Sequence, residues 1–297
     1  MSTAVNPGLR ARVRRMESMP AMPAILAQLM RCLELPPDQI EVEKVTELIS
    51  TDKAIAAQCV RMANSPLVSP RSPINTVRGA VVALGARRLR DILWSSFLAR
   101  MAPKTKWPLK AEAFWEHSFG CALVSQKLAK KIGLPEPDKI YLCGLLHDIG
   151  EIVNVLLARE EFTAAVKIAT DENLPLIEAE QQVMGFTHCD TGKWLAEAWN
   201  FPPDLCEVIE FHHSPERAQT AVAAVAVINL ADALCRLVGL GYGYDELLEF
   251  DAQEAPAWRL LEAAAPQVRY FDVARFALEL DGEAEQIHLL VASAFQG

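Results

Sequence analysis

Apolar residues recur along this chain at steps of three and four, and runs that alternate apolar with polar positions are rare. That periodicity predicts an all-α protein. Between Met22 and Leu98 the pattern breaks into several short helices. Pro20 and Pro23 precede the first, Pro36-Pro37-Asp38 separates it from the second, and Asp52 stands where an N-cap for the third belongs. Asn64-Ser65-Pro66 ends that helix, and Ser69 to Pro73 reads as a loop. A further helix starts near Val77, breaks at Gly85 and resumes through Leu89 to Arg100. Ala102 to Pro108, with two prolines and two lysines, reads as a connector, and longer helices begin at Ala111. The chain thus divides into an N-terminal arm (1–18), a lobe of short helices (19–101), a bundle of longer ones (109–240) and a helical extension (241–297).

Several polar residues fall on the inward stripes of the second half. GLLHDIGE, from Gly144 to Glu151, puts His147 and Asp148 at the centre of an otherwise apolar helix. An ionised carboxylate buried without a partner costs several kcal/mol, so a metal ion, a polar cluster or water has to compensate it. Phe114, His117, Cys121, Val124 and Leu128 form one core-facing stripe. His188 shares a stripe with Leu195 and Trp199, His212 with Leu205 and Val208, and Asp232 with Val225, Ile228 and Cys235. Four helices each aim one metal-competent side chain inward, and the GLLHDIG helix adds two more. Imidazole and carboxylate donors together suit iron, manganese or zinc, and facing helices of a bundle are a usual source of such ligands. A metal-free histidine–carboxylate network that fixes helix register fits the same pattern.

Composition narrows the functional classes. With 297 residues, 51% of them hydrophobic and 23% charged, the chain can bury a large core. A net charge of −9 argues against broad contact with phosphate backbones, so nucleic acid is not an expected partner. Arg10, Arg12, Arg14 and Arg15 read as a solvated arm. The seven cysteines contain no CxxC pair. Cys32, Cys59, Cys121, Cys143, Cys206 and Cys235 lie in apolar helical surroundings and read as reduced core thiols of a cytoplasmic protein. No signal peptide is visible, and the uncharged run Ala218 to Ala231 is too short to cross a bilayer, so no membrane role is expected.

The ordered set His117, His147-Asp148, His188, His212-His213 and Asp232 resembles the HD superfamily of metal-dependent phosphohydrolases. More narrowly, the chain resembles the HDOD family, the HD-related output domains of bacterial signalling. The first half carries MPAMPAILAQLM, VTELISTDKAIAAQCVRMANSP and INTVRGAVVALGARRLRDIL. The second carries FWEHS, YLCGLLHDIGEIV, IEAEQQVMGFTHCDTGKWLAEAWNFPPDLCEVIEFHH and VINLADALCR, so that the likeness spans residues 19–240.

The resemblance implies a multi-helix N-terminal lobe packed on an HD-like helical bundle. It implies a non-catalytic signalling module that works through protein partners, in cyclic-dinucleotide-linked or two-component control of motility, biofilm formation or virulence. It also implies a divalent iron or manganese ion on His117, His147, Asp148, His188, His212, His213 and Asp232. The alternative is a metal-dependent phosphohydrolase acting on a cyclic dinucleotide, as the HD-GYP relatives do. Three departures from those enzymes weigh against it: Glu151 replaces a phosphate-binding lysine, Ala113 replaces a carboxylate one turn before His117, and Ser214-Pro215-Glu216 replaces the GYP loop. GYGY at 241–244 lies too far downstream to be that loop. Arg61, Arg87, Arg88 and Arg90 are candidate anchors for a partner's carboxylate or phosphate, though arginine stems packed on a solvated face explain them equally. Asn64 reads as a helix C-terminal residue.

Overall fold

The computed structural model describes residues 7–17, 19, 22–33, 35–64, 68, 70, 72–101, 107–242 and 251–295. Among them are fifteen α-helices and no strand, as the periodicity requires. The chain forms two compact units, Pro20–Ala102 and a larger one made of Met1–Met19 with Pro103–Gly297. Most of the connector expected at Ala102 to Pro108 lies outside the described residues.

The smaller unit holds α2 (Ala24–Leu33), α3 (Val42–Ser50), α4 (Lys53–Ala63) and α5 (Val77–Met101). Asp52 caps α4 as expected: its Oδ1 accepts the amides of Ala54 and Ile55 at 3.0 and 3.1 Å. Its Oδ2 takes a 2.7 Å ion pair from Arg100, which fastens α4 to the end of α5. Asn64 ends α4, and its side chain is consumed by Val60 and by both backbone groups of Ile74. At Gly85 the backbone turns to φ +70° and kinks α5.

The larger unit holds α1 (Pro7–Arg14), α6 (Ala111–Lys131), α7 (Pro137–Leu146), α8 (Ile149–Leu157), α9 (Arg159–Glu172) and α10 (Leu176–Met184). It continues with α11 (His188–Ala198), α12 (Pro203–Phe211), α13 (Val222–Leu237), α14 (Pro256–Ala264) and α15 (Val273–Phe295). The solvated arm is corrected here. Leu9 and Val13 stand four residues apart on α1 and are buried, with the helix laid against α11. Its arginines still face outward, where Arg10 stacks over Trp194 with its guanidinium carbon 5.6 Å from the ring centroid. The C-terminal extension is likewise part of this core. Phe276, Leu280, Ala284 and Ile287 bury one stripe of α15, which packs on α6.

The GLLHDIG segment is two helices, not one. α7 ends at Leu146, α8 begins at Ile149, and His147 and Asp148 form the turn between them. Pro137–Leu157 is long and apolar enough to cross a membrane, but 83% of its most apolar window is buried inside the protein. The flanking glycines explain how the turn is positioned. A Cβ on Gly144 would stand 2.7 Å from the Cys121 carbonyl oxygen of α6. One on Gly150 would stand 1.8 Å from the His188 carbonyl oxygen of α11. Each glycine lets one neighbouring backbone approach, so α6 and α11 are drawn to either side of Asp148.

Gly150→Ala is therefore expected to cost about 3 kcal/mol, the upper end for an overpacked contact. It should lower the urea midpoint at unchanged slope. A change within about 0.5 kcal/mol, ordinary for a surface position, would show that the α8–α11 crossing has room to spare.

Candidate metal centre

Asp148 is the hub of the larger unit. The Nε2 atoms of His147 and His117 lie 2.9 and 3.5 Å from its Oδ2. Those of His212 and His188 lie 3.1 and 3.5 Å from its Oδ1. α6 supplies His117, the α7–α8 turn supplies His147 with Asp148, α11 opens on His188, and His212 ends α12. Asp232 of α13 completes the ring, its Oδ1 3.1 Å from His117 Nε2. His213 stands at the edge, 3.9 Å from Asp232 Oδ2 and the most exposed of the set. All seven residues expected from the sequence thus meet in one place.

Each of the four central rings is held from behind. His117, His147 and His212 donate from Nδ1 to the carbonyl oxygens of Leu240, Gly144 and Ile209, at 2.8, 2.8 and 3.0 Å. His188 donates from Nδ1 to Glu180 Oε2 at 2.7 Å. A carbonyl only accepts, so the proton of a neutral ring sits on Nδ1 and the Nε2 lone pair faces Asp148. Anchored in that way, an imidazole has the tautomer and orientation of a metal ligand.

The unsatisfied atoms show what is required. His147 Nε2, His188 Nε2 and Asp148 Oδ1 are buried and make no hydrogen bond. The 2.9 Å approach of His147 to Asp148 lacks hydrogen-bonding angles. Buried lone pairs and carboxylates that converge repel one another unless positive charge sits among them. The ligand atoms form two groups, each within 4.8 Å: His117, Cys121, His147 and Asp232, and Asp148, His188, His212 and His213. The cluster could bind a metal ion, and its donors fit one.

The same field attracts protons. At His147 burial opposes the charged ring but is outweighed by Asp148 and then Cys121, and the pKa rises to about 9. At His212 burial is outweighed by Cys189 and then Asp148, giving about 10. His117 and His188 are also raised, against burial, chiefly by Cys121 and by Glu180 respectively. His213 is held well below its usual range by burial and by His212. The cationic neighbours hold Asp148 and Asp232 well below theirs although burial works the other way, His147 foremost for the first and Arg236 for the second.

Glu151 is a correction. An acidic residue in place of a phosphate-binding lysine is expected to carry a negative charge that repels a phosphodiester. The structure buries it to 1% exposure with neither oxygen hydrogen-bonded. Burial, followed by Asp148, pushes its pKa well up, which favours the uncharged acid in the wall of the site.

Five other residues reach the centre without having been singled out as part of it. Glu180 accepts from His188 and from Asn154 Nδ2, the latter at 2.9 Å. Arg236 grips Asp232 with two 3.0 Å bonds, and the Tyr242 hydroxyl donates to Asp148 Oδ2. Cys121 Sγ lies 3.4 Å from His117 Nε2. Cys189 Sγ lies 3.9 Å from His212, and His212 followed by His188 draws its pKa down to about 6 against burial. Arg236, four residues after Asp232, was readable from helical spacing. Tyr242 belongs to the GYGY segment that sequence order excludes as the missing loop, yet it touches the hub.

The candidate anchors lie in the other unit. Arg61 is exposed on α4, Arg88 and Arg90 are half-exposed on α5, and the Arg87 side chain is outside the described residues.

The profile of the HDOD domain matches residues 19–215. An HDOD domain protein of unknown function from Geobacter sulfurreducens superposes with a TM-score of 0.83 at 28% identity, covering 97% of this chain and 98% of that one. A structure from Shewanella amazonensis, provisionally named a phosphohydrolase, gives 0.68 at 23% identity over 96% and 98% of the two chains. An uncharacterized protein of Treponema pallidum (strain Nichols) is 26% identical over 225 residues, which are 73% of this chain and 42% of the relative's length.

The raised histidines set the pH dependence of the metal-free protein. Unfolded histidine titrates near 6.5, so the extra protons stabilise the fold fully below that value and are lost as pH rises through about 9 and 10. Cys189 acts in the opposite direction, but it is one group against the raised histidines. Chelator-treated protein should therefore show a falling urea midpoint from about pH 7 to pH 10, and saturating divalent metal should flatten the fall. A midpoint that rises with pH in the chelated protein would contradict this assignment of protons.

Proposed function

The chain belongs to the HDOD family, and from that membership we propose that it is a non-catalytic bacterial signalling module built around a closed divalent-metal centre. His117, His147, Asp148, His188, His212, His213 and Asp232 would hold the ion or ions, iron, manganese or zinc by donor type. Bound there, a metal supplies the positive charge that ties carboxylates and imidazoles from five chain segments together. The unit Pro20–Ala102 is the proposed docking lobe, with Arg61, Arg87, Arg88 and Arg90 meeting acidic groups of a cytoplasmic protein partner. The pathway we assign is cyclic-dinucleotide-linked or two-component control of motility, biofilm formation or virulence, on the family resemblance alone.

One observation carries the non-catalytic reading: both central carboxylates are already engaged by the protein itself. Tyr242 donates to Asp148, and Arg236 forks onto Asp232. His117, His147 and His212 are 0% exposed. A catalytic metal keeps a coordination position open to water or substrate, whereas a structural one is enclosed by its ligands. Phosphoryl transfer also needs positive charge at the substrate oxygens, and the Arg236 guanidinium is committed to Asp232.

The phosphohydrolase reading keeps one point in its favour. Burial favours the uncharged form of Glu151, which weakens its repulsion of an anion. The 23% identity to the Shewanella protein supports a shared fold and nothing further.

Protein purified without a histidine tag and loaded with iron or manganese should leave cyclic and linear dinucleotides intact. Turnover at about 1 s⁻¹ or faster, the range of ordinary enzymes, would overturn the non-catalytic reading.

A further inference from the structure

We propose that Cys121 is a metal ligand, so that the group His117, Cys121, His147 and Asp232 is a mixed nitrogen–sulfur–oxygen site suited to zinc or ferrous iron rather than manganese. The inference rests on the metal-centre part of the function proposed above.

Cys121 follows His117 by one turn of α6, which puts both side chains on the same face of the helix. Donor atoms around one four-coordinate ion, with bonds of ~2.0–2.3 Å, stand roughly 3.3–3.7 Å apart. Cys121 Sγ is 3.4 Å from His117 Nε2, and Asp232 Oδ1 is 3.1 Å from the same nitrogen. The fourth donor, His147 Nε2, is buried without a hydrogen bond and belongs to the same group within 4.8 Å. The close α6–α7 crossing holds this spacing, because Gly144 seats directly on the Cys121 backbone. Packing alone does not need a sulfur here, whereas a thiolate beside two imidazoles and a carboxylate changes which ions the group prefers. Soft sulfur favours zinc and iron, and manganese favours carboxylate, carbonyl and water. Binding converts the Cys121 thiol to a thiolate, and its proton passes to solvent as the metal enters.

Cobalt(II) titrated into the chelator-stripped full chain reads the ligands directly, with no need for activity. Wild type should develop visible ligand-field bands together with a near-ultraviolet sulfur-to-cobalt charge-transfer band. Cys121→Ser should lose the charge-transfer band and bind cobalt at least about tenfold more weakly, the loss seen when even a supporting partner of a ligand is removed. Cys189→Ser and Cys235→Ser, which remove the two other thiols beside the centre, should each keep the band. A band that survives in Cys121→Ser, or visible bands in wild type with no charge transfer, would overturn Cys121 as a ligand and leave the metal centre standing. No cobalt uptake by folded wild type would overturn both. Should Cys121→Ser fail to fold, the wild-type, Cys189→Ser and Cys235→Ser spectra still decide the question.

Discussion

A carboxylate buried among lone pairs is the constraint on which this fold turns. Asp148 sits at 2% exposure inside the helical bundle, ringed by four imidazoles that are each locked from behind. Left uncompensated, such a group costs several kcal/mol, a large part of the stability of any domain. The bundle therefore exists in its observed form only with positive charge at that point, carried by protons on the rings or by a metal. The close glycine crossings, the buried Glu180 and the carbonyl of Leu240 all serve to aim ring nitrogens at this carboxylate.

That constraint also bears on function. The groups that neutralise and enclose the centre come from far along the chain: Tyr242 lies 94 residues after Asp148, and Leu240 lies 123 residues after His117. Closure from the segment just after α13 makes the site a keystone of the larger unit. On the signalling reading proposed above, the smaller unit, with Arg61 exposed on α4, would be the surface a partner meets.

Much of this was legible in the sequence because it followed from periodicity. Helical spacing placed His117, His188, His212 and Asp232 on inward stripes, and Asp52 and Gly85 act as local rules predict. What was not legible depended on backbone geometry or long range. The helix break at His147 and Asp148 is invisible to an apolar pattern that runs through it. The two glycines beside it matter through contacts with other helices, which no local signal reports. Arg10 to Arg15 suggested a solvated arm because charge is easy to see, whereas the docking of α1 rests on only Leu9 and Val13. Glu180 and Tyr242 lie off the inward stripes that marked the other site residues, and the charge of Glu151 could be judged only once its burial was known.

The most direct measurement is anomalous diffraction from crystals of the untagged, unchelated protein, collected on either side of the metal absorption edges. The account predicts an element-specific peak next to Asp148, among His117, Cys121, His147 and Asp232, with Nε2 and not Nδ1 of each ring facing it. A map with no peak at any transition-metal edge, and with the rings hydrogen-bonded to one another or to water, would contradict it.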